Sequence, residues 1–408
     1  MLTTDLGRER GEKRFSLLCL KWILFLGVLP FEKAALTLYA SRAVGEAISF
    51  ALNALTLILA MGSLVKIRFK RQKRTAEKYI LFYIVLIVTY AMAIFVEEIR
   101  LTRFLSLLCL LGYCLLVICT YEDIDDAIRD INRALLLIIA LSFGLYIAGS
   151  EQVLYIENAS KTVFKGIVAN RNTYSEISLF YIATSFYLWR WDVKRLLWQI
   201  PMLLVAVLTT VLTNGATSIL CLCLLLLVML ALQIKGASRF LSFNLFLTLY
   251  LALFVLLLGS RGADFPLLRY VSALFGKSST LTGRLEIWSA ALGELYKSPI
   301  FGFGYDTSLL LDLGIRENDP HSGLLYIALT QGLLGVVAFA CMLVFLIKNS
   351  GRADLRNDRR YQTMLVFILV WLVKGLVESV FSYTHFVFWC ALIAAELRAR
   401  RITERRYG

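Results

Sequence analysis

Histidine is nearly missing from this chain: two stand among 408 residues, and His321 is one of them. Charge is thin as well, at 18% of residues against 59% hydrophobic, a balance far outside that of a soluble globular domain. No Walker-type phosphate loop and no Gly-rich dinucleotide turn occur. No His, Cys and carboxylate set is spaced for a metal, so neither a metal nor another cofactor is expected. The acidic pair Glu97-Glu98 is adjacent in sequence, so on a helix its members point about 100° apart and make a weak metal site. The eight cysteines (Cys19, Cys109, Cys114, Cys119, Cys221, Cys223, Cys341 and Cys390) lack C-x-x-C spacing and all fall in apolar segments. They read as small buried apolar residues rather than as disulfides or ligands. Alternation in segments of roughly ten residues is absent, which excludes a transmembrane β-barrel. There is no internal repeat, low-complexity tract or linker.

What remains is apolar sequence in long runs. Runs of about 18 or more apolar residues suffice to cross a bilayer as helices. Twelve apolar segments are read, near 15–31, 44–65, 79–96, 104–120, 134–150, 173–189, 196–213, 217–234, 240–259, 323–347, 361–380 and 386–397, the last of them short and either extended through Glu396 or packed partly at the interface. The expected fold is all-α, a polytopic membrane helical bundle forming one integral membrane domain over 1–408. The basic N-terminus leads into an apolar run followed by Pro30-Phe31-Glu32-Lys33 with no clean small-residue cleavage site, so it reads as a first transmembrane helix. With both termini in the cytoplasm, cytoplasmic segments hold 28 basic residues and external ones 13, six of those in one long loop. The positive-inside rule therefore favours that orientation, and it accounts for the net charge of +14 without nucleic acid. Tyr121–Arg133 is amphipathic and reads as a short cytoplasmic surface helix whose acids either face solvent or meet a partner.

The external loop, 260–322, is the polar interruption in the chain and holds three of its five prolines. Gly283–Lys297 has helical spacing, with Leu285, Trp288, Leu292 and Leu295 on one stripe. Thr282-Gly283 supplies a start and Lys297-Ser298-Pro299 a stop. Such a helix can lie in the membrane interface with Trp288 toward the headgroups. Arg284, at its head, suits a diphosphate because a guanidinium donates two parallel hydrogen bonds and stays charged; the other reading is snorkelling to lipid. His321 ends the loop, as a general base near neutral pH or as a capping or surface histidine. Gly302, Gly304 and Tyr305 lie in a Gly-interrupted aromatic turn and are candidate substrate contacts, with Trp288. Elsewhere on the outer face, Asn170-Arg171-Asn172 make a donor cluster suited to phosphate and sugar hydroxyls, with Asn172 alternatively capping the helix that follows. Asn214 sits in the tight turn Thr213–Thr217. Lys374 and Glu378, four apart, share a helix face as an ion pair or a relay. Lys21, in the first helix, is a further candidate.

Three stretches together resemble one family. They are Thr282-Gly283-Arg284-Leu285-Glu286-Ile287-Trp288, then Ser298-Pro299-Ile300-Phe301-Gly302-Phe303-Gly304, then His321 with Leu324-Leu325 and Gln331-Gly332-Leu333-Leu334-Gly335. Their order and their place in one long outer loop resemble the bacterial O-antigen ligase and O-antigen polymerase group, and Gly166–Asn172 is similar to that family's Gly-x-x-x-Asn-x-Asn entry to a helix. The resemblance implies a C-type glycosyltransferase-like bundle in the bacterial inner membrane with its active site facing the periplasm. It implies transfer of a glycan from an undecaprenyl-diphosphate donor to a saccharide acceptor, either a lipid-linked repeat unit or lipid A-core, without metal or nucleotide. Membrane lipids, and for a polymerase a chain-length regulator, are the further partners. Arg284 matches the family's diphosphate-binding arginine and His321 the histidine proposed to activate the acceptor. Ser322 stands where Asn usually follows that histidine. The Thr213–Thr217 turn lacks the arginine that family ligases often carry, and Arg171 is the candidate to replace its charge.

Within the resemblance, the missing turn arginine and the Asn-Arg-Asn stretch favour a polymerase over a ligase. A secondary transporter or lipid flippase is the rival from another class, and explains the bundle and the Lys374/Glu378 pair without catalysis. Against it, no halves with matching broken helices are seen. A scaffold without chemistry is the third reading.

Overall fold

The computed structural model describes residues 124–157, 161–168, 170–189, 193–232, 243–259, 284–304, 309–312, 319–348 and 358–382, with a few isolated residues elsewhere. The expected segments at 15–31, 44–65, 79–96, 104–120 and 386–397 lie wholly or largely outside these residues, as do Lys21 and Tyr305. The chain falls into two compact units, one of residues 1–69 and 119–215, the other of residues 70–118 and 216–408. Among the described residues the fold is all-helical apart from one small hairpin, and seven helices occupy seven of the expected apolar segments. Two of them, over Asp125–Ile147 and Gly323–Val344, are long and apolar enough to cross a membrane, and shorter apolar helices cover Gln199–Leu212, Ala216–Ala231 and Leu247–Leu256.

In the first unit, α1 (Ile124–Ile147) is followed by a hairpin of β1 (Leu154–Glu157) and β2 (Lys161–Phe164), then α2 (Arg171–Leu188) and α3 (Val193–Leu212). The hairpin is antiparallel, with Leu154 opposite Phe164 and Glu157 opposite Lys161. A separate surface helix over Tyr121–Arg133 is not what forms. Residues from Ile124 onward continue without a break into the apolar run, and Asp125, Ala127, Ile128, Ile131 and Asn132 are buried. Burial of these polar groups is made possible by partners on α2. The Asn132 amide donates to Thr184 Oγ1 and Ser185 Oγ, both at 2.9 Å, and the Tyr187 hydroxyl donates to Asp125 Oδ1 at 3.1 Å. Hydrogen bonds of this kind hold helices together where no hydrophobic contrast with the surroundings is available.

The second unit comprises α4 (Ala216–Ala231), α5 (Phe243–Gly259), α6 (Arg284–Leu295), a short α7 (Leu309–Asp312), α8 (Gly323–Lys348) and α9 (Arg359–Gly375). Helix α4 packs on α9, where the Cys221 thiol donates to the Val370 carbonyl. Helix α6 starts and stops within two residues of its sequence punctuation. Its buried face is Ile287, Trp288 and Ala291, which join Leu310 and α8 residues Leu325 and Leu329 in one apolar cluster.

Helix α8 is broken. Gly332 has φ 62° and ψ −159°, so the helix stops after Gln331 and restarts at Leu333. A break frees backbone carbonyls on one side and amides on the other, and buried polar groups of this kind must find partners. The Pro299–Gly304 segment supplies them. Phe303 and Gly304 amides donate to the carbonyls of Leu329 (2.7 Å) and Thr330 (3.0 Å), while Leu333 and Leu334 amides donate to the carbonyls of Pro299 (2.8 Å) and Ile300 (3.3 Å). The two backbones touch closely enough that a Cβ on Gly302 would lie 2.5 Å from the Leu329 oxygen. A Cβ on Gly332 would lie 2.3 Å from the Ile300 carbonyl. Both glycines also have positive φ, at 70° and 62°, so each is required twice over.

Candidate active site

Three segments far apart in sequence converge in the second unit: the first residue of α6, the turn before α8, and the turn after α9. The last is short-changed of helix. Leu376 and Val377 amides turn back to Val373 and Lys374 carbonyls, tightening the last turn, so α9 ends at Gly375 and Glu378 stands beyond it. Lys374 and Glu378 therefore do not sit one helical turn apart on a common face. Glu378 reaches instead to Arg284, 94 residues away, with Oε1 accepting from Nη2 at 2.8 Å. Its other oxygen lies 3.6 Å from His321 Nδ1.

All of these groups are largely out of water. Side-chain exposure is 18% for Arg284, 20% for His321 and 11% for Glu378, and Lys374 is buried with its ammonium 5.8 Å from the Trp371 ring centre. Arg284 bonds the Glu378 carboxylate, the His321 imidazole faces its other oxygen, and the charge of Lys374 acts on it as well. Glu378 is thus an anion ringed by Arg284, Lys374 and His321. The two fixed cations, Arg284 and Lys374, are held in an apolar setting, where each acts on a nearby anion more strongly than in water.

The His321 backbone is unusual. It takes φ 48°, a left-handed conformation uncommon for a residue with a Cβ. Its amide donates to Asp319 Oδ1 at 2.8 Å, and Asp319 Oδ1 also accepts from the Ser379 hydroxyl. The preceding carbonyl, of Pro320, accepts from Trp288 Nε1 at 2.7 Å. Val377, next to Glu378, packs against the apolar cluster under α6.

The expected site residues divide accordingly. Arg284, His321, Glu378 and Lys374 are brought together. Trp288, expected at the headgroups, is only 3% exposed and packs inward, because its apolar face meets α8 and its N–H has a buried acceptor. Gly302 and Gly304, expected at the substrate, are buried against the broken helix, the Gly304 amide bonded to it. In the first unit, Asn170 and not Asn172 caps α2, its side chain accepting the Asn172 amide at 2.8 Å, and Arg171 is the first helical residue. Asn214 closes the end of α3 with φ 52°. Asp319 and Ser379 were missed. Asn-Asp-Pro before His321 is a turn signal that points to Asp319, whereas nothing in the sequence marks Ser379. Among the described residues, no group of three His, Cys, Asp or Glu side chains converges as metal ligands.

Residues 201–340 match the family model described as O-antigen ligase. The matched span contains Arg284, His321, the first half of the broken helix and the start of the second, and stops short of Lys374 and Glu378. No curated protein matches the chain. Residues 201–340, about a third of the chain, which carry the arginine, the histidine and the glycine-mediated helix break, are thus similar to the O-antigen ligase family.

Proposed function

We propose that this protein is an inverting glycosyltransferase that polymerises undecaprenyl-diphosphate-linked oligosaccharide repeat units at the periplasmic face of the inner membrane. The observation that carries the reading is one buried carboxylate, Glu378, shared by Arg284 at 2.8 Å and His321 at 3.6 Å. With Nδ1 facing the carboxylate, the neutral imidazole keeps its proton there, and Nε2 becomes the nitrogen that accepts a proton. The acceptor hydroxyl oxygen attacks the anomeric carbon, its proton passes to Nε2, and the bond from that carbon to the diphosphate oxygen breaks with its electron pair leaving on oxygen. Charge growing on the diphosphate is met by Arg284, whose guanidinium has donors beyond the one on Glu378, and by the nearby charge of Lys374. Arg171, Asn170 and Asn172 are further candidates for the donor or acceptor glycan. The bundle is taken to be polytopic, with about twelve membrane helices and both termini cytoplasmic.

A ligase that transfers the lipid-linked glycan to lipid A-core is the second reading, favoured by the description of the matched family. Transport is supported less well. Broken helices offer ion sites when their freed backbone groups stay open, and here Leu329, Thr330, Leu333 and Leu334 spend theirs on Pro299–Gly304. R284A and H321A variants, expressed at wild-type level in a null strain, test the proposal by their surface glycan ladders. Loss of polymer in both is expected, by a factor of about 10² to 10⁴ for the base; normal ladders from either would overturn it. A polymerase null keeps core carrying a single repeat unit, whereas a ligase null shows bare core and accumulates lipid-linked polymer.

A further inference from the structure

We infer that Asp319 is a positioning residue for the transfer reaction, clamping the His321 turn to the Glu378 turn through Ser379. The inference rests on the functional reading above and adds a residue to it.

His321 and Glu378 belong to segments with no covalent reason to hold a fixed separation. Each has a neighbour that does the holding. Asp319 Oδ1 accepts the His321 amide at 2.8 Å and, on the same atom, the Ser379 hydroxyl. One carboxylate oxygen therefore ties the backbone of the base to the residue after its carboxylate partner. The tie matters because the His321 backbone is in the left-handed region, at φ 48°, which a side chain with a Cβ leaves readily unless it is held. A second tether, the Trp288 N–H on the Pro320 carbonyl, fixes the same turn to α6, whose first residue is Arg284. The 3.6 Å gap between His321 Nδ1 and Glu378 Oε2 is thus set by Asp319 on one side and by α6 on the other. Asp319 itself touches neither Arg284 nor the imidazole in any contact described above.

If Asp319 orients the base without binding the donor, its loss acts on turnover and not on donor affinity. The test is steady-state transfer by the full-length purified protein in lipid nanodiscs, with a lipid-linked repeat unit as the substrate. D319A is expected to lower kcat by roughly 10²-fold, the scale of a misplacement of about 1 Å, with KM for the donor unchanged. D319N keeps an oxygen that can accept both hydrogen bonds and is expected to recover most of the rate. S379A removes the bridge alone and is expected to lower kcat in the same direction by less. Wild-type kcat in S379A, or equal impairment of D319A and D319N, would overturn the inference, as would a loss confined to KM. H321A is measured alongside: if it turns over normally the functional reading itself fails, whereas an inactive H321A beside a fully active D319A sinks only the clamp.

Discussion

Gly332→Ala tests whether the broken helix is held open by the Pro299–Gly304 segment. The φ and ψ of Gly332, 62° and −159°, lie in a region essentially closed to residues with a Cβ, at a cost of about 1–3 kcal/mol. The added methyl would also stand 2.3 Å from the Ile300 carbonyl carbon and oxygen and 2.6 Å from the Phe301 amide. These are backbone atoms that cannot rotate aside, so the two segments must part. Four hydrogen bonds cross this contact, and each contributes about 0.5–1.5 kcal/mol. If they all loosen, the total destabilisation is on the order of 3–9 kcal/mol. The assay is thermal unfolding of detergent-purified full-length protein, read as the monomer peak surviving on size exclusion after heating. Gly293→Ala is the control. Gly293 lies inside α6, is exposed, and a Cβ there meets nothing within 4 Å, so alanine should stabilise by about 0.5–1 kcal/mol. A G332A protein that melts with the wild type would refute the account of the break, because no rearrangement of side chains relieves a backbone clash.

Two further predictions concern the turn after α9. Glu378→Gln keeps shape but leaves Arg284 and Lys374 without their anion, a loss of up to about 3–5 kcal/mol for a buried pair. E378Q should therefore melt below the wild type at pH 7; equal melting temperatures would show that the carboxylate does not hold these segments together. The Phe381 ring, stacked on Phe339 at 4.8 Å, lies so near Gly375 that a Cβ there would be 2.3 Å from its tip. Gly375→Ala should reduce folded yield and F381L should restore part of it, since leucine withdraws the ring from that spot; absence of any rescue in the double variant would count against the packing.

Much of the local architecture was legible from residue order. Helix α6 lies within two residues of the limits that Thr282-Gly283 and Lys297-Ser298-Pro299 set for it, and the seven described membrane-length or apolar segments are helices where hydrophobic runs predict them. Hydrophobic runs could not reveal the break in α8. Gln331-Gly332-Leu333-Leu334-Gly335 reads as continuous apolar helix, and the break exists only because a segment about thirty residues earlier takes up the freed backbone groups. The separate helix expected at Tyr121–Arg133 failed for a similar reason. Its polar side looked solvated, but Thr184, Ser185 and Tyr187 of α2 provide the partners that let it be buried.

The same division holds at the candidate site. Residue type and place in the long polar loop singled out Arg284 and His321, one heading the loop's helix and the other being one of only two histidines. The similarity to the O-antigen ligase family lies in the same stretch, residues 201–340. Sequence spacing paired Glu378 with Lys374, since four residues make one helical turn. The tertiary structure ended α9 at Gly375 and gave that carboxylate to Arg284 and His321. It also turned Trp288 inward and brought Asp319 to Ser379, 60 residues on. Spacing reports neighbours along one helix, whereas charges drawn out of water are paired by whichever segments the packing brings within reach.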